Sequence, residues 1–282
     1  MFNTLLIIYE MNLTTYFFKY VPYIIIVILF GIYYNYIKQS NIIFSQVFIE
    51  QNPDLSYPLK TGEVTSTVLW LFAFFVPLTI IIVSSIYVLL ISNIKTSTKY
   101  FMWLLIGLVI CLLANSAFTE TFKILFGEPR PSFFAICNYQ NYTYALESNN
   151  FTKYNSLTTF GKFGDIKNCF ASQDDIKDAF ASFPSGHASL MFAGMTFATL
   201  ILLNLKFKNE FIVSFAHAII PLGLYILATW VCITRVQDYK HRTYDVLGGA
   251  IFGTMIAYGT WNSIKLNVDR LDKDPLEFTI NI

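Results

Sequence analysis

The stretch Phe183-Pro-Ser-Gly-His187 leads directly into an apolar run of the chain, 188–205. A helix that crosses the hydrocarbon core of a bilayer needs about 20 mainly apolar residues, so this run is nearly long enough to be a membrane span. The N-terminus of a helix offers free backbone N–H groups to an anion, and a glycine there permits close approach. The stretch therefore predicts a transmembrane helix whose first turn can bind an anion.

The rest of the chain has the composition of a membrane protein. Of its 282 residues, 55% are hydrophobic and 13% are charged, whereas soluble domains average about 25% charged residues. The net charge of +1 provides no basic field for nucleic acid, so no nucleic-acid partner is expected. We predict an all-α, polytopic membrane protein with six transmembrane helices, near 21–37, 68–91, 102–118, 188–205, 211–233 and 246–264.

The distribution of basic residues predicts the orientation of these spans. We expect 1–20 to be a cytoplasmic segment, 21–264 to be the six-helix membrane domain and 265–282 to be a cytoplasmic tail. The inner short segments then hold eight Lys and Arg residues, and the outer short segments hold four outside the proposed site: Lys38, Lys60, Lys240 and Arg242. Lys and Arg favour the cytoplasmic side. The long connection 119–182 is therefore predicted to be a non-cytoplasmic loop, in the lumen or outside the cell.

Three charged segments stand at the ends of the predicted spans. The first is 123–131, the second is 183–187, and the third contains Arg235, His241 and Asp245. Because successive spans alternate in direction, all three segments reach the same, non-cytoplasmic face. A single Lys or Arg at a span end commonly just extends its charge to the interface, but the convergence of all three segments favours a binding site for an anion.

The residue types in these segments suit a phosphate monoester, which carries about −1.5 to −2 charges at neutral pH. Lys123, Arg130 and Arg235 would supply three positive charges, and the guanidinium fork of arginine suits bidentate contacts with phosphate. Ser185 would add a hydroxyl donor, and Gly186 would let the backbone approach the ligand closely. We therefore expect these five residues to bind phosphate.

Two histidines in the segments predict acid–base and nucleophilic chemistry. His241 and Asp245 are four residues apart, so on a helix they share a face, and the carboxylate can fix the tautomer of the imidazole. This pair suits a nucleophilic histidine that forms a phosphohistidine. His187 would be the general acid that protonates the leaving alkoxide and then activates water. The alternative for His241 and Asp245 is a simple ion pair at a helix start; the presence of His187 on the same face favours catalysis.

Metal and cofactor chemistry is not expected. The chain has no His-Glu-x-x-His sequence, no EF-hand loop and no Cys-x-x-Cys sequence. Three aspartates cluster in the long loop without a nearby histidine, and we interpret them as solvated surface: Asp174, Asp175 and Asp178. We therefore predict a site without metal or cofactor.

The three charged segments resemble the signature of the type 2 phosphatidic acid phosphatases, also called lipid phosphate phosphatases. That signature reads Lys-x6-Arg-Pro, then Pro-Ser-Gly-His, then Ser-Arg-x5-His-x3-Asp. The chain matches the first part at 123–131 and the second at 184–187. It matches the third at 234–245, with Thr234 where the family usually has serine. The matched region covers nearly half the chain.

The resemblance implies a metal-independent membrane phosphatase that hydrolyses a lipid phosphate such as phosphatidate. It implies His241 as the nucleophile, Asp245 as its orienting residue and His187 as the acid. The other matched residues are implied to bind phosphate: Lys123, Arg130, Ser185, Gly186 and Arg235. Relatives in the family act on polyprenyl diphosphates, sphingoid phosphates or glucose 6-phosphate, so these substrates remain alternatives. A lipid-phosphate binder without activity is the alternative from another class.

The long loop carries features of an oxidising, glycosylated compartment. Cys137 and Cys169 both lie in it, and they either form a disulfide or stay free. Asn141 and Asn150 begin two N-glycosylation sequons, which fit a lumenal or extracellular loop. The lipid bilayer is an expected partner, while the sequence leaves open whether the protein forms a homo-oligomer.

Overall fold

The computed structural model describes residues 2–40, 42–206 and 210–271, with side chains from residue 19 onward. Within this part of the chain the regular structure is helical, and strands are absent apart from two isolated bridges. The helices are α1 (Phe2–Gln39), α2 (Ser66–Ile91), α3 (Ile94–Phe126), α4 (Phe133–Ile136), α5 (Tyr142–Glu147), α6 (Thr152–Leu157), α7 (Gln173–Ala179), α8 (Gly186–Asn204), α9 (Glu210–Ser214), α10 (Ile220–Gln237) and α11 (Thr243–Leu271). A π-helical turn, Phe215–Ile219, joins α9 to α10.

Five helical segments in the described residues are long and apolar enough to cross a membrane. They are Lys19–Gln39, Ser66–Ile91, Ile94–Phe126, Gly186–Asn204 and Glu210–Gln237. This agrees with a multi-pass membrane protein. The predicted sixth span, 246–264, lies within α11, which is not among the five. Glycine and threonine occupy many of its positions, so α11 is less hydrophobic than the other long helices, and the count of six spans stays a prediction.

Helix α8 lies at the centre of the bundle and packs against α2, α3, α10 and α11. Close approach to α11 depends on glycine. A Cβ atom added at Gly253 would lie 2.0 Å from the carbonyl oxygen of Ser189, and one at Gly249 would lie 2.4 Å from the carbonyl oxygen of Ser185. The backbones of α8 and α11 are therefore in direct contact, as small residues allow in membrane helix pairs. This contact joins the second and third charged segments.

The end of α3 positions the first charged segment. Gly127 adopts a left-handed conformation with φ 54° and donates its N–H to the carbonyl oxygen of Lys123 at 2.9 Å. Glycine adopts this conformation without a steric penalty, which makes it a common helix terminator. The predicted loop 119–182 thus begins with helix up to Phe126, and Lys123 lies on the last turn of α3. The chain then turns away toward Arg130.

The polar-rich connection 127–182 contains a compact apolar core. Helices α4 to α7 surround a buried aromatic cluster to which the α1–α2 connection contributes Phe48; the cluster includes Phe133, Phe134, Tyr139, Tyr142 and Phe180. Cys137 and Cys169 form a disulfide, which confirms the paired alternative. The buried carboxylate of Glu50 accepts hydrogen bonds from the Tyr139 hydroxyl and the Thr159 N–H, both at 2.7 Å. This connection is a folded cap on one end of the bundle.

The predicted tail, 265–282, is only partly described. Residues up to Leu271 continue α11, and residues 272–282 lie outside the described part of the chain. The predicted boundary at residue 20 falls within α1.

Candidate active site

A cavity of about 340 Å³ lies where the three charged segments meet. Six of the eight predicted site residues line it: Lys123, Arg130, Gly186, His187, Arg235 and His241. The remaining lining comes from Gly62, Val64, Thr65, Ser66, Asp178 and Lys240. The other two predicted residues, Ser185 and Asp245, are fully buried behind this surface. The structure thus brings the distant segments to one cavity, which we call the cup.

His241 lies between α10 and α11, and its ring is almost fully buried. Its Nδ1 atom is 2.8 Å from the carbonyl oxygen of Ser182. A carbonyl oxygen only accepts hydrogen bonds, so this contact assigns the proton to Nδ1. The lone pair is then on Nε2, which is 3.2 Å from Nη1 of Arg130. The neutral ring therefore presents Nε2 to the side of the cup where Arg130 lies.

The environment of His241 keeps the ring neutral. Burial disfavours the charged imidazolium, and the nearby positive charge of Arg130 disfavours it further. Together they lower the pKa of His241 from 6.5 to about 4, although the Asp245 carboxylate acts in the opposite direction. At neutral pH the side chain is therefore in its neutral form.

Asp245 is close to His241, but it is not the nearest acceptor. Its Oδ2 atom is 3.7 Å from Nδ1, and it accepts hydrogen bonds from the Ser182 hydroxyl at 2.6 Å and from the Arg242 N–H at 2.7 Å. The sequence-based reasoning missed Ser182. Because Ser182 contacts the ring through its backbone carbonyl, its residue type carried no signal for this role. Asp245 holds Ser182 in place, and Ser182 holds the ring.

Arg130 makes contacts with nearly all of its donor groups. Nε donates to the backbone carbonyl of Asp178 at 2.8 Å, and Nη2 donates to the carboxylate of the same residue at 2.7 Å. Nη1 donates to the carbonyl oxygen of Lys240 at 2.8 Å and also faces Nε2 of His241. A guanidinium has five N–H groups, so one of them has no partner among the described residues.

Arg235 is held by Thr234 on α10 and by Asp238 just past the end of that helix. Its Nη2 atom donates to the buried carboxylate of Asp238 at 2.8 Å, and the Thr234 hydroxyl accepts from Nε and Nη2 at 3.3 and 3.2 Å. The hydroxyl of Thr234 thus orients the arginine. A Cβ atom added at Gly62 would lie 3.1 Å from Nη1. Nη1 therefore reaches the part of the cup that Gly62 lines.

The N-terminus of α8 forms another part of the cup. Ser185 is the N-cap residue, with its hydroxyl oxygen 3.5 Å from the N–H of Ala188, and its own N–H donates to the carbonyl oxygen of Asp245 at 3.0 Å. A Cβ atom added at Gly186 would lie 3.1 Å from Nζ of Lys123. His187 Nε2 is 3.2 Å from the carbonyl oxygen of Val64. The helix start, a lysine and a histidine thus share one wall.

Two charged residues of the cup were missed or misread from the sequence. Asp178 is exposed, as the interpretation as solvated surface expects, but that interpretation missed the pairing of its carboxylate with Arg130 in the cup. Burial alone would raise the pKa of Asp178, but Arg130 and Lys123 lower it below its ordinary value. The sequence analysis counted Lys240 outside the site, whereas the residue lines the cup. Its pKa is lowered, mainly by burial and next by the positive charge of Arg130. The adjacency of Lys240 to His241 was the one signal available.

The acidic residues of the cup are paired with cations rather than grouped. In the described residues, His, Cys, Asp and Glu side chains form no group of three or more that could hold a metal ion. The arrangement offers cations, a helix N-terminus and two imidazoles around one cavity. Chemically, it can bind a phosphate dianion and place an imidazole nitrogen beside it.

Comparisons with known proteins show the family of the chain. The family model described as the PAP2 superfamily matches residues 103–269, which is more than half of the chain.

Probable diacylglycerol pyrophosphate phosphatase 1 of Schizosaccharomyces pombe is 30% identical over 66% of this chain and 62% of its own length. Lipid phosphate phosphatase 1 of Arabidopsis thaliana is 29% identical over 72% of this chain and 55% of its own length. Diacylglycerol pyrophosphate phosphatase 1 of Saccharomyces cerevisiae is 25% identical over 83% of this chain and 75% of its own length. No solved structure matches significantly. The chain thus spans less than two thirds of the first two relatives.

Proposed function

The chain belongs to the PAP2 superfamily, and on that premise we propose that it is an integral membrane lipid phosphate phosphatase. The proposed substrates are phosphatidate-like phosphate monoesters, and the products are a diacylglycerol-like alcohol and phosphate. The observation that carries the proposal is the convergence of Lys123, Arg130, Arg235, His187 and His241 on one cavity. A cavity with this charge and two imidazoles suits the binding and cleavage of a phosphate monoester.

The phosphate group is proposed to bind at the cations and at the start of α8. Lys123 and Arg235 would contact its oxygens, and the backbone N–H of Gly186 at the start of α8 would donate to it, while Ser185 caps that helix behind the cavity. Arg130 would complete the set after exchanging some of its present partners. These contacts neutralise the dianion and orient phosphorus toward Nε2 of His241. They also stabilise the charge of the transition state, which is the largest contribution expected in such sites.

In the first step, Nε2 of His241 attacks phosphorus, and the bond from phosphorus to the ester oxygen breaks. The departing alkoxide takes a proton from His187, which gives the free alcohol and a phosphohistidine. Nδ1–H of His241 keeps its hydrogen bond to Ser182, so the ring stays oriented as it becomes cationic. The anionic substrate favours the protonated form of His187 before attack.

In the second step, water attacks the phosphohistidine. Neutral His187 accepts the proton from the water, and the bond between phosphorus and nitrogen breaks to release phosphate and restore His241. Splitting the reaction into two covalent steps suits this chemistry, because general acid–base help alone contributes only about 10²–10⁴-fold. Asp245 is proposed to act through Ser182, as a positioning residue.

The proposed membrane arrangement keeps the site at the non-cytoplasmic face. Segment 1–20 would lie in the cytoplasm, the membrane domain would span 21–264 with α11 as its sixth crossing, and the tail 265–282 would return to the cytoplasm. A lipid could then place its headgroup in the cup while its acyl chains stay in the bilayer. The exposed asparagines of both loop sequons are compatible with a lumenal or extracellular cap.

A second candidate substrate is a lipid diphosphate. Two relatives, one from each yeast, are named diacylglycerol pyrophosphate phosphatases. The same nucleophile would then attack the terminal phosphorus, and the leaving group would be phosphatidate rather than an alcohol. Polyprenyl and sphingoid phosphates and soluble phosphoesters would use the same chemistry with other leaving groups.

A substrate panel tests the proposal. The purified full-length chain in lipid nanodiscs would be assayed for phosphate release from phosphatidate, lysophosphatidate, diacylglycerol pyrophosphate, a polyprenyl diphosphate, sphingosine phosphate and glucose 6-phosphate. We expect phosphatidate to be hydrolysed without added metal, and His241→Ala to abolish turnover. His217→Ala is the matched control, because His217 does not line the cup. Binding of phosphatidate without phosphate release from any substrate would instead support a non-enzymatic binder.

A further inference from the structure

Asp178 occupies the part of the cup where a phosphate oxygen would contact Arg130. Its carboxylate accepts from Nη2 at 2.7 Å, and its backbone carbonyl accepts from Nε at 2.8 Å. Since two other N–H groups of Arg130 face Lys240 and His241, Arg130 cannot offer a bidentate fork to phosphate in this arrangement. The side chain of Asp178 is the partner whose release would free that fork.

The two carboxylates that pair with arginines in the cup differ in burial. Asp238 is 6% exposed, and besides Arg235 it accepts the N–H of Glu63 at 3.1 Å. Asp178 is 53% exposed, and within the described residues its carboxylate contacts Arg130 alone. Asp238 is thus a fixed structural partner of its arginine. Asp178 can move into solvent without its own carboxylate being left buried and unpaired, and a phosphate oxygen would replace it as the partner of the buried Arg130.

Asp178 also stands at a boundary between two cavities. A second cavity of about 710 Å³ lies between the ends of α1, α3 and α7. Asp178 and Lys123 line both this cavity and the cup. The adjacent Lys177 anchors α7 to the end of α1 by donating to the carbonyl oxygens of Lys38 and Ser40 at 2.9 and 2.6 Å. The position of Asp178 is therefore held by the backbone of α7, while its carboxylate is free to turn.

We propose that the Asp178 carboxylate is a resident competitor for the phosphate site, which substrate displaces from Arg130 and which returns as phosphate leaves. This inference rests on the proposed function, since it deepens the account of that site. A carboxylate carries one negative charge, so a phosphate dianion can replace it at Arg130 and still contact Lys123 and Arg235. A singly charged phosphodiester would gain less electrostatic stabilisation from these cations, so it would displace the carboxylate less readily. Asp178 therefore acts as a selectivity residue for dianionic phosphate and favours product release.

Removal of this competitor should strengthen phosphate binding. Asp178→Asn keeps the backbone carbonyl that anchors Nε of Arg130, so the arginine stays in place without the charged partner. Because a hydrogen bond to a charged group is replaced by a weaker one, we expect orthophosphate to bind about tenfold more tightly. With phosphatidate, KM should fall, and kcat should fall as phosphate release slows. A role limited to holding the structure would raise KM instead.

The experiment compares three variants with the wild-type chain in nanodiscs. Orthophosphate binding would be measured by titration calorimetry, independently of turnover, and dimethyl phosphate would serve as the singly charged probe. Asp174→Asn is the matched control, because it removes the same charge from α7 without a partner at Arg130. Asp178→Glu keeps a carboxylate and should bind orthophosphate about as the wild-type chain does. In Asp178→Asn the preference for orthophosphate over dimethyl phosphate should shrink.

The possible results separate the two proposals. Orthophosphate binding by Asp178→Asn that equals or falls below the wild-type value overturns the competitor role. An equal increase in orthophosphate affinity in Asp174→Asn also overturns it, because the increase would then come from the loss of one negative charge on α7 and not from the loss of the partner of Arg130. Tighter binding in Asp178→Asn alone, in a chain that hydrolyses none of the panel substrates, supports the competitor role and refutes the phosphatase.

Discussion

The neutral ring of His241 makes the stability of the protein depend on pH in a calculable way. Its pKa is about 4 in the folded chain and 6.5 in an unfolded chain. As the pH falls below 6.5, the unfolded chain binds the proton first, so the folded state loses stability. The full difference corresponds to about 3 kcal/mol, at 1.36 kcal/mol for each unit of pKa. This contribution is complete above pH 6.5 and is lost as the pH falls toward 4.

A substitution isolates this contribution from those of other titrating groups. His241→Gln keeps a polar side chain that can donate to Ser182 but removes the ionisation. The free energy of unfolding would be measured by detergent-denaturant titration in mixed micelles at pH 7.5 and pH 4.5. Between these values the wild-type chain should lose about 2.5 kcal/mol more than the variant. Stability is the suitable observable, because substrate phosphate itself titrates near pH 6 and dominates any activity profile.

Equal losses in the two chains would refute the reasoning. They would mean that the ring of His241 is protonated in the folded protein at the same pH as in the unfolded one. Burial and the positive charge of Arg130 would then not outweigh the Asp245 carboxylate, and the ring would not be held neutral by its surroundings. A larger loss in the variant would also refute it, since the imidazole would then bind its proton more tightly in the folded chain than in the unfolded one.

Three further predictions concern packing, ion pairing and topology. Gly253→Ala should lower the free energy of unfolding by about 1–3 kcal/mol, because the added Cβ atom would overlap a carbonyl oxygen of α8; Gly259→Ala on the same helix has open space and should be neutral. Asp238→Ala should cost about 3–5 kcal/mol in the same measurement, since it leaves the buried Arg235 unpaired; an unchanged midpoint would contradict this. Expression in a eukaryotic cell should give a band that a glycosidase shifts, and removal of both loop sequons should abolish the shift.

The convergence of the charged segments was predictable because it depends on few quantities. Apolar length predicts where spans lie, and the alternation of their direction decides which ends share a face. The details at the ends were less accessible. The predicted span ended at residue 118, but α3 continues to Phe126 and is terminated by Gly127, so Lys123 lies on its last turn. The glycines of α11 pack against the backbone of α8. This face of the helix contacts protein rather than lipid, so it needs fewer large apolar side chains than a lipid-facing helix.

The contacts that orient the reactive groups could not be read from residue types. Ser182 holds His241 through a backbone carbonyl, and Val64 contacts His187 in the same way. Every residue has a carbonyl, so a sequence pattern gives no sign of which one is used. The pairing of Asp178 with Arg130 was missed for another reason: Asp178 is exposed, like Asp174 and Asp175 near it in sequence, and only the folded cap brings it to Arg130.

The charge balance of the cup links its stability to its function. Four cations line it, and three of them have carboxylate partners: Lys123 with Glu120, Arg130 with Asp178 and Arg235 with Asp238. Without these partners, clustered cations would repel one another and destabilise the empty protein. In the proposed function, the same partners would weaken the field that acts on phosphate, so that the site would not hold its product too tightly. A phosphatase that binds a dianion and then releases one needs both properties, and the proposed displacement of Asp178 beside the fixed Asp238 would provide them.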